Sequence, residues 1–294
     1  MKLDVIVPHW QENEKQIMCA LSMINNQIAH SFDVLITVVT DLGGVALDED
    51  AIQKVSKYPI KFITTDKHLF AGYSRQYAMD RTDGEYIIFC DSDDQFASPF
   101  VFKYFEDVLK ENGKLDVIYT AYLEEMNTPE GLVYQQKDDD VSITCLHGKM
   151  YNREFLYKHN IRFPNLRISE DGAFNFQCVC HAKNVVFNDD VVTYIWKFNP
   201  KSLTRDGTEL VDYSVNIRSF RQSIDGFEYF FEETKKESSL VNTKVISRFI
   251  DSLYTQLGML EPLKSLSSVI AEELEGTRER LDKCRAKYKE YFND

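Results

Sequence analysis

Three carboxylates crowd into four residues where "YIIFCDSDDQF" leaves its apolar run: Asp91, Asp93 and Asp94. Like charges packed together raise one another's pKa and cost stability unless a cation joins them. Mg2+ and Mn2+ take carboxylate oxygens and commonly fill other positions with phosphate oxygens. An Asp-x-Asp at a strand end therefore suggests a metal that holds a diphosphate. Taken alone, the cluster also reads as a solvated turn, with Asp94 complementing the dipole of a helix that opens near Ser98. A second acidic pair, Glu170-Asp171 in "SEDGAF", opens another helical pattern. It is either a base kept ionised by the helix N-terminus or simple charge complementarity with that terminus.

The elements that must position these groups alternate up to about residue 100. "DVIVPHW", "FDVLITVVTD", "IKFITTD" and "YIIFCD" are short apolar runs rich in β-branched residues, and each reads as a buried strand. Between the first two lies a helical stripe of Ile17, Leu21, Ile24 and Ile28, with Asn13 and Gln16 placed as a capping box. "YSRQYAMDRT" reads as a short helix. Ser98-Pro99 is set to cap and open another through Val101, Phe102, Phe105 and Leu109, stopped by Gly113. Strand, helix, strand, repeated, predicts an α/β fold with a Rossmann-like, mostly parallel central sheet flanked by helices.

From about 114 to 205 the pattern is mixed. "LDVIYTAYLEE" and "VVFNDDVVTYIW" are strand-like, "EDGAFNFQCVCHA" is helical, and the charged run 137–141 suits a solvated hairpin tip. After about 206 the spacing becomes helical throughout: Leu210, Tyr213, Ile217, Phe220, Ile224 and Phe227, then Val241, Val245, Phe249 and Leu253. Leu274, Leu281 and Tyr288 recur by sevens. Such a stripe either packs on its own chain or pairs two copies. The reading is two parts, 1–205 and an all-helical appendage at 206–294.

With 44% hydrophobic residues the chain can bury a substantial core, and its formal charge of −13 gives no clear nucleic-acid signal. No run approaches the roughly 20 apolar residues of a transmembrane helix. The start lacks the apolar centre of a signal peptide, so the expected location is cytoplasmic, or peripheral at the inner membrane face through the helical tail. The six cysteines follow no disulfide framework, and Cys178, Cys180 and His181 lack zinc-ligand spacing.

At five places in chain order, across about residues 3–205, the sequence resembles the family 2 glycosyltransferases, inverting enzymes with a GT-A fold. "VIVPHWQENE" is similar to the family's opening, and "VLITVVTD" to its second strand. "YSRQYAMDRTDGEYIIFCDSDD" resembles its A-R-N and D-x-D-D stretch. "HGKMYNREFLYKHNIRFPNLRISEDGAF" resembles the run that ends in its E-D, and "YIWKFNPKSLT" its closing motif. Departures cluster around the nucleotide base: Thr40 precedes Asp41, Leu42-Gly43-Gly44 follows it, and Ser74-Arg75-Gln76 stands for A-R-N.

The resemblance implies roles. Pro8, His9 and Gln11 would border the nucleotide base and Asp41 would read its edge. Arg75 would meet the nucleotide or its phosphates. Asp91 and Ser92 would lie against the ribose, with Asp91 also approaching the metal and Asp93 its main ligand. Asp171 would be the general base, with Glu170 beside it. From the residues themselves, Lys197 would reach the diphosphate or stand in solvent, and Lys149 and Tyr151 would line the site or pack. Trp196 would stack on the acceptor or belong to the core.

The expected function is metal-dependent inverting transfer of a sugar, with Mn2+ or Mg2+, from a nucleotide-diphosphate sugar, a UDP-sugar by expectation. The acceptor would be a hydroxyl on a surface polysaccharide intermediate. Alternatives from the same sequence are transfer to a modified DNA base, a protein or a small molecule, or a catalytically silent nucleotide-sugar binding scaffold. The tail would serve as appendage, homodimer seam or membrane contact.

Overall fold

A computed structural model describes residues 1–137, 145–166, 170–199, 213–235 and 250–289, without 252, 256 and 259. The chain forms two compact units: Met1–Asn165 with Ala182–Phe198, and Leu166–His181 with Asn199–Asp294.

The first unit is built on one sheet. Its strands are β1 (Lys2–His9), β2 (Asp33–Thr40), β3 (Ile60–Thr64), β4 (Tyr86–Phe89), β5 (Gln95–Phe96), β6 (Val117–Thr128), β7 (Gly131–Lys137), β8 (Lys149–Asn152) and β9 (Val185–Trp196). The order is β3-β2-β1-β4-β8-β6-β9-β5, with β7 paired to β6. The first four strands in that order are parallel. β8 enters antiparallel between β4 and β6, and β9 runs parallel to β6. Short β5 and β7 pair antiparallel to β9 and β6. β1, β2, β4, β6 and β9 therefore all end on one edge, where β8 begins, and loops gather there as they do in open α/β sheets. Val5, Ile6 and Val7 are fully buried, so β1 beyond Asp4 reads as an unbroken apolar run rather than an alternating one.

Helices α1 (Glu14–Asn25), α2 (Glu49–Val55), α3 (Phe70–Met79), α4 (Val101–Asn112) and α5 (Arg153–Lys158) complete this unit. The capping box forms as expected: the Asn13 side chain accepts from the Gln16 amide at 3.1 Å and Gln16 Oε1 from the Asn13 amide at 3.0 Å. Gly113 ends α4 with φ +74°.

Two local expectations fail together. α1 ends at Asn25, so Ile28 leaves the stripe and is 46% exposed, while Gln27 is fully buried. Ser98 does not cap α4; its Oγ accepts from the Phe100 amide just before the helix. Gln27 does the capping instead, its Oε1 accepting from the Phe102 amide at 3.0 Å and its Nε2 donating to the Ser98 carbonyl at 2.8 Å. Of the charged run 137–141, residues 138–141 lie outside the described residues. The described hairpin turns at Pro129-Glu130, between β6 and β7.

The second unit is helical: α6 (Glu170–His181), α7 (Tyr213–Lys235), a turn of 3-10 helix at Glu261–Ser265, and α8 (Ser268–Lys287). Compactness groups α6 with the tail, because α6 packs on α7; by sequence alone α6 stood with residues 1–205. Ile217, Phe220, Ile224, Phe227 and Phe231 form the buried face of α7. Leu210, Val241, Val245 and Phe249 lie outside the described residues, as does the Tyr213 side chain. The heptad Leu274, Leu281 and Tyr288 is buried, at 0%, 0% and 1% exposed. Tyr288 packs on Phe231 with ring centroids 3.8 Å apart and donates to Glu232 at 2.8 Å. That stripe packs within the chain, the first of the two readings its spacing allows: α7 supplies the apolar surface it needs. No described helix is long and apolar enough to cross a membrane.

Candidate active site

The acidic cluster follows β4 at the edge where the parallel strands end. A tight turn, with the Asp94 amide donating to the Asp91 carbonyl at 3.1 Å, folds the four residues back on themselves. Tyr194, buried on β9, holds both ends. Its hydroxyl accepts from the Asp91 amide at 3.0 Å and donates to Asp94 Oδ2 at 2.8 Å. Asp94 Oδ1 accepts from the Lys197 amide at 2.8 Å. Asp94 thus belongs to this turn and not to the dipole of α4.

Arg75, on α3 and 5% exposed, brings Nη2 to 2.6 Å from Asp91 Oδ1. His147 lies flat on the Tyr194 ring, centroids 4.7 Å apart at 10°, and places Nε2 3.8 Å from Asp94 Oδ2. Gly148 makes this approach possible. It sits at φ +67°, and a Cβ there would come within 2.8 Å of the Thr120 carbonyl.

Donor atoms of Asp91, Asp94 and His147 all lie within 4.8 Å of one another, the one such group among the described residues. The two carboxylate oxygens suit Mn2+ or Mg2+, and the imidazole nitrogen tilts the set toward a transition ion such as Mn2+. Asp93, half-buried at the turn's tip, falls outside this group, and Ser92 is buried. Electrostatics agrees with a cation here. Burial, then the charges of Asp93 and Asp91, pushes the Asp94 carboxyl well above the ordinary carboxylate range. Burial would raise Asp91 too, but the Arg75 guanidinium and His147 outweigh it and hold that carboxyl down. Cys90, beneath the cluster, is pushed well up by burial and by Asp94, so it stays a neutral thiol.

The other expected residues of this unit line the same edge, several already engaged. His9 Nε2 donates to the Glu12 carbonyl at 2.8 Å, and its Nδ1 meets the Thr40 hydroxyl at 3.1 Å. Pro8 is buried beside it, and Gln11 is exposed. Asp41, 3% exposed, gathers the Thr65 hydroxyl at 2.9 Å, the Leu42 and Phe70 amides at 3.0 and 2.9 Å, and His68 at 2.8 Å. Lys197, expected on the diphosphate, pairs its ammonium with buried Glu125 at the end of β6. Burial lowers the Lys197 pKa, but that hydrogen bond and charge raise it further, so the net shift is upward. Lys149 is 1% exposed and donates to the Cys145 and His147 carbonyls at 2.6 and 3.1 Å; Tyr151 is fully buried. Lys149 ties down the loop that carries His147, and Tyr151 packs on Phe89. Trp196 is tilted against His147, centroids 5.4 Å apart.

Glu170 and Asp171 open α6 in the second unit. Glu170 is 8% exposed. Asp171 is half-buried, and its Oδ1 accepts from the Gly172 amide at 2.7 Å.

A parallel half-sheet whose carboxyl edge carries acids, an arginine and a histidine is the ligand-binding edge of an open α/β fold, and comparison with known proteins gives the family. Residues 4–166, more than half of the chain, match the model of glycosyl transferase family 2, and the chain belongs to that family. It is a glycosyltransferase of GT-A fold with a helical C-terminal region.

Among its relatives, the teichoic acid poly(glycerol phosphate) polymerase of Staphylococcus epidermidis is 26% identical over 209 residues, 67% of this chain and 25% of that protein. The chain thus spans about a quarter of that relative's length. The crystal structure of S. aureus TarS residues 1–349 in complex with UDP-GlcNAc superposes with a TM-score of 0.59 at 18% identity, over 99% of this chain and 91% of that one. The mannosyltransferase PcManGT from Pyrobaculum calidifontis, in complex with GDP-Man and Mn2+, does so at 0.52 and 13%, over 97% and 86%.

Proposed function

We propose that the enzyme transfers a sugar, with inversion, from a nucleotide-diphosphate sugar to a hydroxyl of a surface polysaccharide intermediate, using a divalent cation. The observation that carries this reading is the Asp91, Asp94 and His147 group, backed by Arg75. The UDP-GlcNAc and the GDP-Man with Mn2+ bound by the two solved neighbours favour the donor class. The likeness to a teichoic acid poly(glycerol phosphate) polymerase favours a teichoic acid as acceptor. We assign residues 1–205 to catalysis and 206–294 to a helical appendage, in a cytoplasmic protein peripheral to the inner membrane face.

Asp91, Asp94 and His147 would hold Mn2+ or Mg2+, which when bound neutralises negative charge growing on the leaving diphosphate. Asp93, at the tip of the turn, adds its charge to the field that attracts the ion. Arg75 orients Asp91 and keeps it ionised. Pro8, His9 and Gln11 shape the rim of the base pocket, with Asp41 at its floor and Ser92 under the ribose. Asp171 takes the proton of the acceptor hydroxyl as that oxygen attacks the anomeric carbon from the face opposite the leaving group, with Glu170 beside it. General-base help of this kind is worth about 10²- to 10⁴-fold.

The test is donor hydrolysis and transfer across a panel of nucleotide sugars, with manganese or EDTA. Wild type is compared with Asp94→Asn, His147→Ala and Asp171→Asn. Manganese-dependent turnover that collapses in all three supports the assignment. Equal, metal-independent signals in all four proteins would end it.

A further inference from the structure

Beside Asp41, at the carboxyl edge of the sheet, the chain itself stacks two flat rings. The Trp10 indole is backed by the turn at Gly43-Gly44: a Cβ on Gly43, at φ +87°, would lie 3.5 Å from its ring, and the Val45 amide donates to the Trp10 carbonyl at 2.7 Å. Against Trp10 lies the His68 imidazole, stacked with centroids 4.2 Å apart at 26°. His68 Nδ1 donates to Asp41 Oδ2 at 2.8 Å. A stacked heteroaromatic ring with one N–H aimed at a carboxylate is what a nucleobase with a ring N–H would present at the same spot.

The partners of Asp41 differ in how they can leave. Thr65, Leu42, Leu69 and Phe70 reach it through buried or main-chain groups fixed by the fold. His68 reaches it through a side chain 42% exposed, on a loop whose next turn is strained, with Phe70 at φ +68°. Rotating His68 outward frees the face of Trp10 and one acceptor site on Asp41 without disturbing the other bonds.

We propose that His68 holds the nucleobase's place between Trp10 and Asp41, and is expelled when a donor whose base carries a ring N–H takes over both contacts. The inference rests on the nucleotide-sugar reading above and deepens it. Uracil and guanine carry a ring N–H and would qualify. Cytosine and adenine lack it and would leave Asp41 facing an acceptor. Displacement also costs affinity, because only the open fraction of the enzyme binds.

The experiment titrates UDP, GDP, CDP and ADP, each with Mn2+, into wild type, His68→Ala and His68→Phe by calorimetry. UDP or GDP is expected to bind His68→Ala about threefold to tenfold more tightly than wild type. His68→Phe, which keeps the stacking and loses the bond to Asp41, is expected to show a smaller gain. If wild type binds and His68→Ala binds equally or more weakly, displacement is overturned while the donor reading stands. Tighter binding of CDP or ADP overturns the ring N–H requirement. Binding of no nucleotide to any of the three proteins overturns the donor reading and this inference together.

Discussion

The two edges of the central sheet bury carboxylates in opposite ways. At the amino edge, Asp4 is 1% exposed and its Oδ2 receives the Arg153 Nη2 and the Gly84 amide at 2.6 and 2.9 Å. Arg153 spends its remaining donors on the Gly84 and Met79 carbonyls, both at 2.6 Å, and on Thr82 at 2.8 Å. On the same side Glu106, 2% exposed, pairs with Lys110 at 2.8 Å and takes the Ser31 amide at 3.0 Å. Burial would raise its pKa, but the hydrogen bonds of Lys110 and Ser31 dominate and bring the carboxyl down to about 2. At the carboxyl edge Asp94, 3% exposed, is pushed the other way. Glu106 and Asp94 thus shift in opposite directions: the first is matched by a lysine and a serine, the second is crowded by other acids as a cation site would be.

Breaking the amino edge should give the largest effect on folding. Arg153→Met leaves Asp4 buried without its partner, and a loss of about 3–5 kcal/mol is expected in urea unfolding. Activity per folded molecule should hold, and a fall in kcat with unchanged stability would erase the distinction between the edges.

Asp94→Asn is the mirror experiment. Transfer is expected to fall about 10²-fold or more, as when one electrostatic stabiliser of a transition state is removed. The folded wild type binds the Asp94 proton more tightly than the unfolded chain does. In EDTA its stability should therefore decline as pH rises past the ordinary carboxylate range, and the variant should lose that decline. Manganese should raise the melting temperature of wild type and leave Asp94→Asn unmoved.

Glu106→Gln sharpens the amino side. The native carboxyl is depressed from 4.5 to about 2, so its stabilisation is full above pH 4.5 and lost as pH falls toward 2. The variant should be weaker by about 2 kcal/mol at neutral pH and show a flatter acid limb in pH-dependent unfolding. The smallest effect belongs to the α1 cap, where Asn13→Ala should cost about 1 kcal/mol, read by thermal melts.

Sequence alone made the local rules visible. The Asn13–Gln16 box, the Gly113 stop, the unbroken run of β1 and the acids after β4 each follow from residues within a few positions of one another. What stayed hidden depends on distant partners. Glu125 lies 72 residues from the Lys197 it neutralises, and nothing near Lys197 announces that its charge is spent. Gln27 caps a helix 75 residues further on, so the helical period predicts Ile28 inside and gets the pair reversed. His147 carries no motif of its own in the sequence, where Lys149 and Tyr151 stand out instead. The available signal was its neighbour: a glycine directly before a strand often marks a backbone turn that presents the preceding side chain.

That glycine has a consequence for how this enzyme can change. The space where a Cβ would stand at Gly148 is taken by the Thr120 carbonyl and hydroxyl, at 2.8 and 2.9 Å. Both are held by strand pairing and by the Thr120–Thr193 hydroxyl contact at 2.5 Å. In a saturation library of the loop, position 148 should accept glycine alone. Position 147 should tolerate many residues for folding and few for turnover, so abundance and activity scores would part company across a single peptide bond.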